Sequence, residues 1–220
     1  MREKLMLSSI ALSCVGSVWA STEKQPNIIV INCDDMGYGD LSCFGNPTIK
    51  TPHLDRMAME GQKWSSFYVS SSVSSPSRAG LLTGRLGVRT GMYGNERGVL
   101  FPDSPEGLPA EEITIPELLK NAGYHTACIG KWHLGHLPGY RPLDHGFDYF
   151  YGMLFSNDMS RKEQVKLGNV NYPYELVVYE QEKEIEREPD QTLLTKRLTD
   201  KALRYIDTHQ ANPFFLYLAH

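Results

Sequence analysis

The chain has 220 residues, 41% of them hydrophobic and 22% charged, with a formal net charge of −4. That length supports one sizeable buried core, and mild acidity with no basic run excludes the electrostatic footprint of a nucleic-acid binder. Cys33, Cys43 and Cys128 have no paired spacing, which argues against a disulfide framework and against a zinc site.

In chain order, Arg2 and Lys4 precede a mostly apolar stretch, Leu5 to Val18, too short to span a bilayer. Val18-Trp19-Ala20 then offers small residues at the minus-three and minus-one positions of a cleavage site. The expectation is a secretory signal peptide over 1–20 and an exported protein, periplasmic or extracellular, with no transmembrane span in its mature chain. Ala11-Leu12-Ser13-Cys14 supports an alternative, a lipid anchor through Cys14. Without Arg2, Glu3 and Lys4 the remaining chain carries −5.

Asn27 to Cys33 reads as a buried strand, broken by the loop Asp34-Asp35-Met36-Gly37-Tyr38-Gly39-Asp40. Thr51-Pro52 opens a helix with Leu54, Met57 and Ala58 on one face. Trp64 to Val69 is strand-like, and a serine-rich turn held by Pro76 leads to a second helix start over Ser77 to Leu82. Thr114-Ile115-Pro116-Glu117 is a capping box whose helix ends at Gly123. His125 to Ile129 is the next strand, with Gly130-Lys131-Trp132-His133-Leu134-Gly135 as the loop beyond it. Glu175 to Glu188 reads as a solvated hairpin. Thr192 to Thr208 reads as a helix with Leu194, Leu198, Tyr205 and Ile206 facing the core. Pro213 to Ala219 has the pattern of a buried parallel strand. Such a strand one residue before the terminus carries the expectation that 21–220 is the N-terminal portion of a longer catalytic domain.

Strands alternating with helices predict an α/β fold with a mostly parallel central sheet flanked by helices. Ligands of such sheets bind beyond the carboxyl ends of the strands, where loops 34–40, 70–78 and 130–136 would gather. Asp34 and Asp35 are adjacent carboxylates that repel unless a cation neutralises them, and hard oxygens suit Ca²⁺ or Mg²⁺. A solvated capping pair is the other reading. Ser74 to Arg78 puts hydroxyls and a guanidinium at a helix start, a setting suited to sulfate or phosphate. Lys131 and His133 share the loop 130–135.

The run Ser74-Ser75-Pro76-Ser77-Arg78, continuing to Thr83-Gly84, resembles the sulfatase signature. Gly130-Lys131-Trp132-His133-Leu134-Gly135 resembles that family's second signature, and Asp34-Asp35 its metal pair. Gly91-Met92-Tyr93, Gly98-Val99-Leu100, Gly107-Leu108-Pro109 and Ser156-Asn157-Asp158 are similar to the arylsulfatase A and N-acetylgalactosamine-6-sulfatase branch. The resemblance covers nearly all of 26–220 and implies an alkaline-phosphatase-like fold that hydrolyses aryl or carbohydrate sulfate esters. It implies that Ser74 is oxidised to formylglycine by a serine-type maturation enzyme and that one Ca²⁺ is held by Asp34, Asp35 and residue 74. It further implies that Arg78 holds the aldehyde hydrate, Lys131 binds sulfate or hydrate, and His133 is a base. Ser156 matches a position near bound sulfate. The family's further Asp-Asn calcium pair, second lysine and second histidine have no match within residues 1–220. A phosphoester or phosphonate hydrolase of the same superfamily and an inactive sulfate-binding fragment are the rival readings.

Overall fold

In the computed structural model the structure describes residues 24–93 and 97–220; the signal peptide expected over 1–20 and the alternative anchor at Cys14 lie outside them. Strand β1 (Ile28–Asn32) leads to helices α1 (Pro52–Glu60), α2 (Ser74–Thr83) and α3 (Ile115–Asn121). Strand β2 (His125–Lys131), β3 (Tyr149–Met153) and helix α4 (Arg161–Lys166) follow, then β4 (Val177–Glu180), β5 (Lys183–Arg187), α5 (Leu194–His209) and β6 (Phe214–Ala219). The six strands form one sheet in the order β1-β6-β2-β3-β4-β5. β1, β6, β2 and β3 are parallel, while β4 and β5 join antiparallel as the expected hairpin.

The alternation of the central strands builds two cores. Cys128, Phe150, Phe215 and Tyr217 face α2 and α3, joined by Ala79, Leu82, Trp132 and Phe147. Ala127, Ile129, Tyr151, Phe214 and Leu216 face the opposite way, onto Leu194, Leu198, Ala202 and Tyr205 of α5. Burying each of those two leucines contributes roughly 1.5–3 kcal/mol. Among the described residues, no helix is long and apolar enough to cross a membrane.

The carboxyl end of β2 depends on a glycine. Gly130 has φ +115°, and a Cβ there would run into the carbonyl oxygen of Ala219 on β6. This permissive backbone keeps Gly130 and Lys131 in the strand, paired with Gly152 and Met153. The loop expected from Gly130 therefore begins at Trp132. The capping box forms as expected: the Thr114 amide donates to Glu117 Oε2 at 2.7 Å, and the Glu117 amide to Thr114 Oγ1 at 3.5 Å.

Further expectations change. The strand read as buried, β1, lies at the sheet edge with Ile29 and Ile31 exposed. Trp64 to Val69 forms no strand, and Trp64, Phe67 and Tyr68 are exposed. No residue of α1 is buried among the described residues, so the Leu54–Met57 face meets solvent rather than a core. Helix α2 starts at Ser74, three residues earlier than the turn chemistry predicted, because Pro76 is tolerated in a first turn that needs no amide there. β3 was not foreseen; its short Tyr149–Met153 run contains Gly152, a strand breaker by composition that here sits against the Gly130 backbone.

Candidate active site

Beyond the carboxyl ends of β1, β2 and β3 lies a cavity of about 740 Å³. Its walls bring together Asp34, Asp35, Ser74, Arg78, Lys131, His133 and Ser156, every candidate residue read from the sequence. Asp34 and Asp35 follow β1; Ser74 and Arg78 lie on the first turns of α2; Lys131 ends β2 and His133 follows it; Ser156 follows β3. Asp35 (φ 57°) and His133 (φ 60°) hold left-handed backbone, sparsely populated by residues other than glycine and characteristic of functional loops.

Asp34 is the electrostatic centre. Its Oδ2 accepts from Lys131 Nζ at 2.5 Å; its Oδ1 lies 3.5 Å from Arg78 Nη2 and accepts from Ser74 Oγ at 3.5 Å. Partial burial alone would raise its carboxyl pKa, but the Lys131 hydrogen bond and the charges of Lys131 and Arg78 outweigh it and hold the pKa low. Lys131 also donates to Ser156 Oγ at 3.1 Å. Burial pushes its ammonium pKa down, with Asp34 opposing and Arg78 adding to the shift.

Arg78 is only 3% exposed. Its Nη1 donates to the Lys131 carbonyl at 2.7 Å and to the Tyr217 hydroxyl at 3.1 Å. Nε and Nη2 are buried with no hydrogen-bond partner among the described residues, Nη2 facing Asp34 Oδ1 only as the 3.5 Å ion pair, so both donor nitrogens of a permanent cation remain unsatisfied beside the cavity. Such donors, with Lys131, match the charge and fork geometry of a tetrahedral oxyanion.

His133 is buried, and its Nε2 meets the Leu100 carbonyl at 2.8 Å. A carbonyl only accepts, so the proton sits on Nε2 and the Nδ1 lone pair is free; Nδ1 has no partner among the described residues. Burial, reinforced by Lys131, pushes its pKa down to about 4, so the imidazole is neutral near pH 7. The Leu100 carbonyl is itself placed because the Leu100 amide donates to Ser75 Oγ at 3.0 Å, which ties this loop to α2.

The carboxylates of Asp34 and Asp35 with the oxygen of residue 74 form a hard-oxygen donor set, the kind taken by Ca²⁺ or Mg²⁺. They fit such an ion in kind. Two carboxylates and one hydroxyl are fewer than the roughly six to eight oxygens Ca²⁺ takes, and among the described residues no cluster of three or more His, Cys, Asp or Glu is arranged for a metal.

Sequence reasoning missed Tyr217, the partner of Arg78. The signal was present: a tyrosine within the otherwise apolar Phe214–Ala219 run must find a hydrogen-bond partner once buried. His145 and His209 stand outside the site: His145 is buried beside Trp132, and His209 stacks on Tyr205 with centroids 4.0 Å apart. His136 instead lines a neighbouring cavity.

The family model described as Sulfatase matches residues 26–220. The chain is 41% identical over 218 residues to N-acetylgalactosamine-6-sulfatase of Mus musculus, an alignment covering 96% of this chain and 42% of that protein. It therefore spans about two-fifths of the length of the curated relatives it matches. Among solved structures, Ps i-CgsB in complex with k-i-k-neocarrahexaose superposes with a TM-score of 0.73 at 33% identity, covering 89% of this chain and 45% of that one. BT4656 in complex with its substrate D-glucosamine-2-N,6-O-disulfate gives a TM-score of 0.67 at 30% identity, covering 89% and 34%. With its two signature loops and carboxylate pair gathered at one sheet end, the chain belongs to the sulfatase family.

Proposed function

We propose that the protein hydrolyses sulfate esters of sugars, with residues 34–156 supplying the nucleophile, two sulfate-binding cations and a base. The observation that carries this reading is the convergence of Arg78, Lys131 and His133 on Ser74 and Asp34. Relatives and neighbours whose names state an amino-sugar sulfate or k-i-k-neocarrahexaose support a carbohydrate sulfate as substrate.

A sulfate ester is anionic, so attack on sulfur needs that charge offset. The buried donors of Arg78 and the ammonium of Lys131 do this in a site of low dielectric, where they act more strongly than in water. Ser156, hydrogen-bonded to Lys131, keeps the ammonium aimed at the cavity. Ser74, oxidised to formylglycine by a serine-type maturation enzyme, would when hydrated present two hydroxyls on one carbon: one to displace the sugar alcohol from sulfur, the other to lose its proton so that the carbon–oxygen bond to sulfate breaks and the aldehyde returns. Asp34, Asp35 and the oxygen of residue 74 would hold one Ca²⁺, which when bound acts as a Lewis acid on sulfate oxygen. His133 Nδ1, with its lone pair free, takes the proton of the second hydroxyl. An exported location, periplasmic or extracellular, goes with this reading.

The test is mass spectrometry and sulfate release on the full-length protein co-expressed with a serine-type maturation enzyme. The tryptic peptide carrying Ser74 should lose two hydrogens as activity appears. An unmodified peptide from an active preparation would sink the assignment of residue 74.

A further inference from the structure

Next to the reaction cavity lies a second one, of about 290 Å³. The two share Met159 as a common wall, and the loop that carries His133 into the first carries His136 into the second. Its volume sits at the lower edge of the range of about 300–1,000 Å³ typical of ligand pockets, room for one sugar unit rather than a chain.

Its chemistry differs from the reaction cavity. Arg141 donates through Nε to the His136 carbonyl at 2.7 Å, and its guanidinium lies 6.0 Å from the centre of the Tyr179 ring. No carboxylate pairs with Arg141 among the described residues, whereas Arg161 and Arg187 on the same cavity share Glu175 at 3.1 and 3.3 Å. The His136 ring lies against Phe155 with centroids 5.0 Å apart, and its buried Nδ1 has no hydrogen-bond partner among the described residues. Tyr174 and Tyr179 add aromatic surface. The cavity thus combines an uncompensated guanidinium fork, an unsatisfied ring nitrogen and flat apolar walls. Aromatic rings suit the C–H face of a pyranose, and a free guanidinium suits a sulfate or carboxylate on that ring.

We propose that this second cavity is a binding subsite for an anionic sugar unit adjoining the one whose sulfate is removed, with Arg141 as its anion contact and Tyr174 and Tyr179 as its walls. The proposal rests on the sulfatase reading and deepens it: the substrate is a polyanionic oligosaccharide. A single sulfated monosaccharide fills only the reaction cavity.

The experiment measures kcat and KM of the full-length matured protein on two substrates, N-acetylgalactosamine 6-sulfate and a chondroitin 6-sulfate tetrasaccharide. Arg141→Gln should raise KM for the tetrasaccharide by about tenfold or more, the loss of one hydrogen bond to a charged group, and leave the monosaccharide unchanged. Tyr174→Ala, in the same cavity, should act in the same sense, and Arg141→Lys should recover part of the loss. Equal losses on both substrates, or none on either, would overturn the subsite. Should the wild type turn over neither sugar, titration calorimetry with the same tetrasaccharide and its desulfated counterpart still decides. Binding that needs the sulfates and is weakened by Arg141→Gln and Tyr174→Ala upholds the subsite without the activity. Binding indifferent to both variants, or no binding, removes it.

Discussion

Replacing His133 by glutamine tests the electrostatics of the site directly, because Gln can still donate to the Leu100 carbonyl but cannot titrate. The folded state depresses the imidazole pKa to about 4, through burial and then Lys131. An unfolded histidine titrates near about 6.5. The sign follows from the lowered folded value: protonation favours the unfolded chain. His133 therefore costs nothing above about pH 6.5, and stability is lost as pH falls from there toward the folded pKa. At about pH 4.5 the unfolded state gains roughly 2.5 kcal/mol over the native state from this one group. The His133→Gln variant of the full-length protein should then lose about 2.5 kcal/mol less than wild type between about pH 7 and 4.5 in urea unfolding. Any constant cost of placing Gln at φ 60° cancels in that difference. Asp34, held low by Lys131 and Arg78, stays ionised over this window and does not imitate the effect. If both proteins lose the same stability across the window, the imidazole is not buried in the way described, and its role as a neutral base at Nδ1 fails with it.

Asp34→Ala should remove bound Ca²⁺ and also destabilise the protein by about 1–3 kcal/mol, since it strands two buried cations. The figure is below the range for a fully buried pair because the Asp34 side chain is 35% exposed. Asp35→Ala should remove the metal with little change in stability; metal content and urea melts on both variants separate the two roles, and full metal content in either would refute the ligand assignment. Tyr217→Phe deletes one acceptor of the Arg78 guanidinium and should cost about 1.5–3 kcal/mol. A melting curve unchanged from wild type would show that the Lys131 carbonyl and Asp34 hold Arg78 without the Tyr217 hydroxyl.

The sequence by itself determined the α/β class, the capping box, the hairpin, α5 and the terminal strand, because each rests on local periodicity or turn chemistry. Local chemistry also singled out Asp34, Asp35, Ser74 and Arg78, a carboxylate pair after a strand and a hydroxyl-rich helix start, while resemblance to the sulfatase signatures added Lys131, His133 and Ser156. Pairing was another matter. That Lys131 belongs to a strand rather than a loop follows from Gly130 meeting Ala219, 89 residues away in the chain. That Tyr217 holds Arg78, and that the Leu100 carbonyl selects the His133 tautomer, are contacts across 139 and 33 residues. No local pattern encodes them. The exposure of the Leu54–Met57 face is of the same kind: periodicity marks an apolar stripe, and only packing decides whether another element covers it. The second cavity was invisible for the same reason, its walls drawn from loops on either side of β3 and from β4 and β5, brought together only by the antiparallel hairpin closing on the parallel sheet.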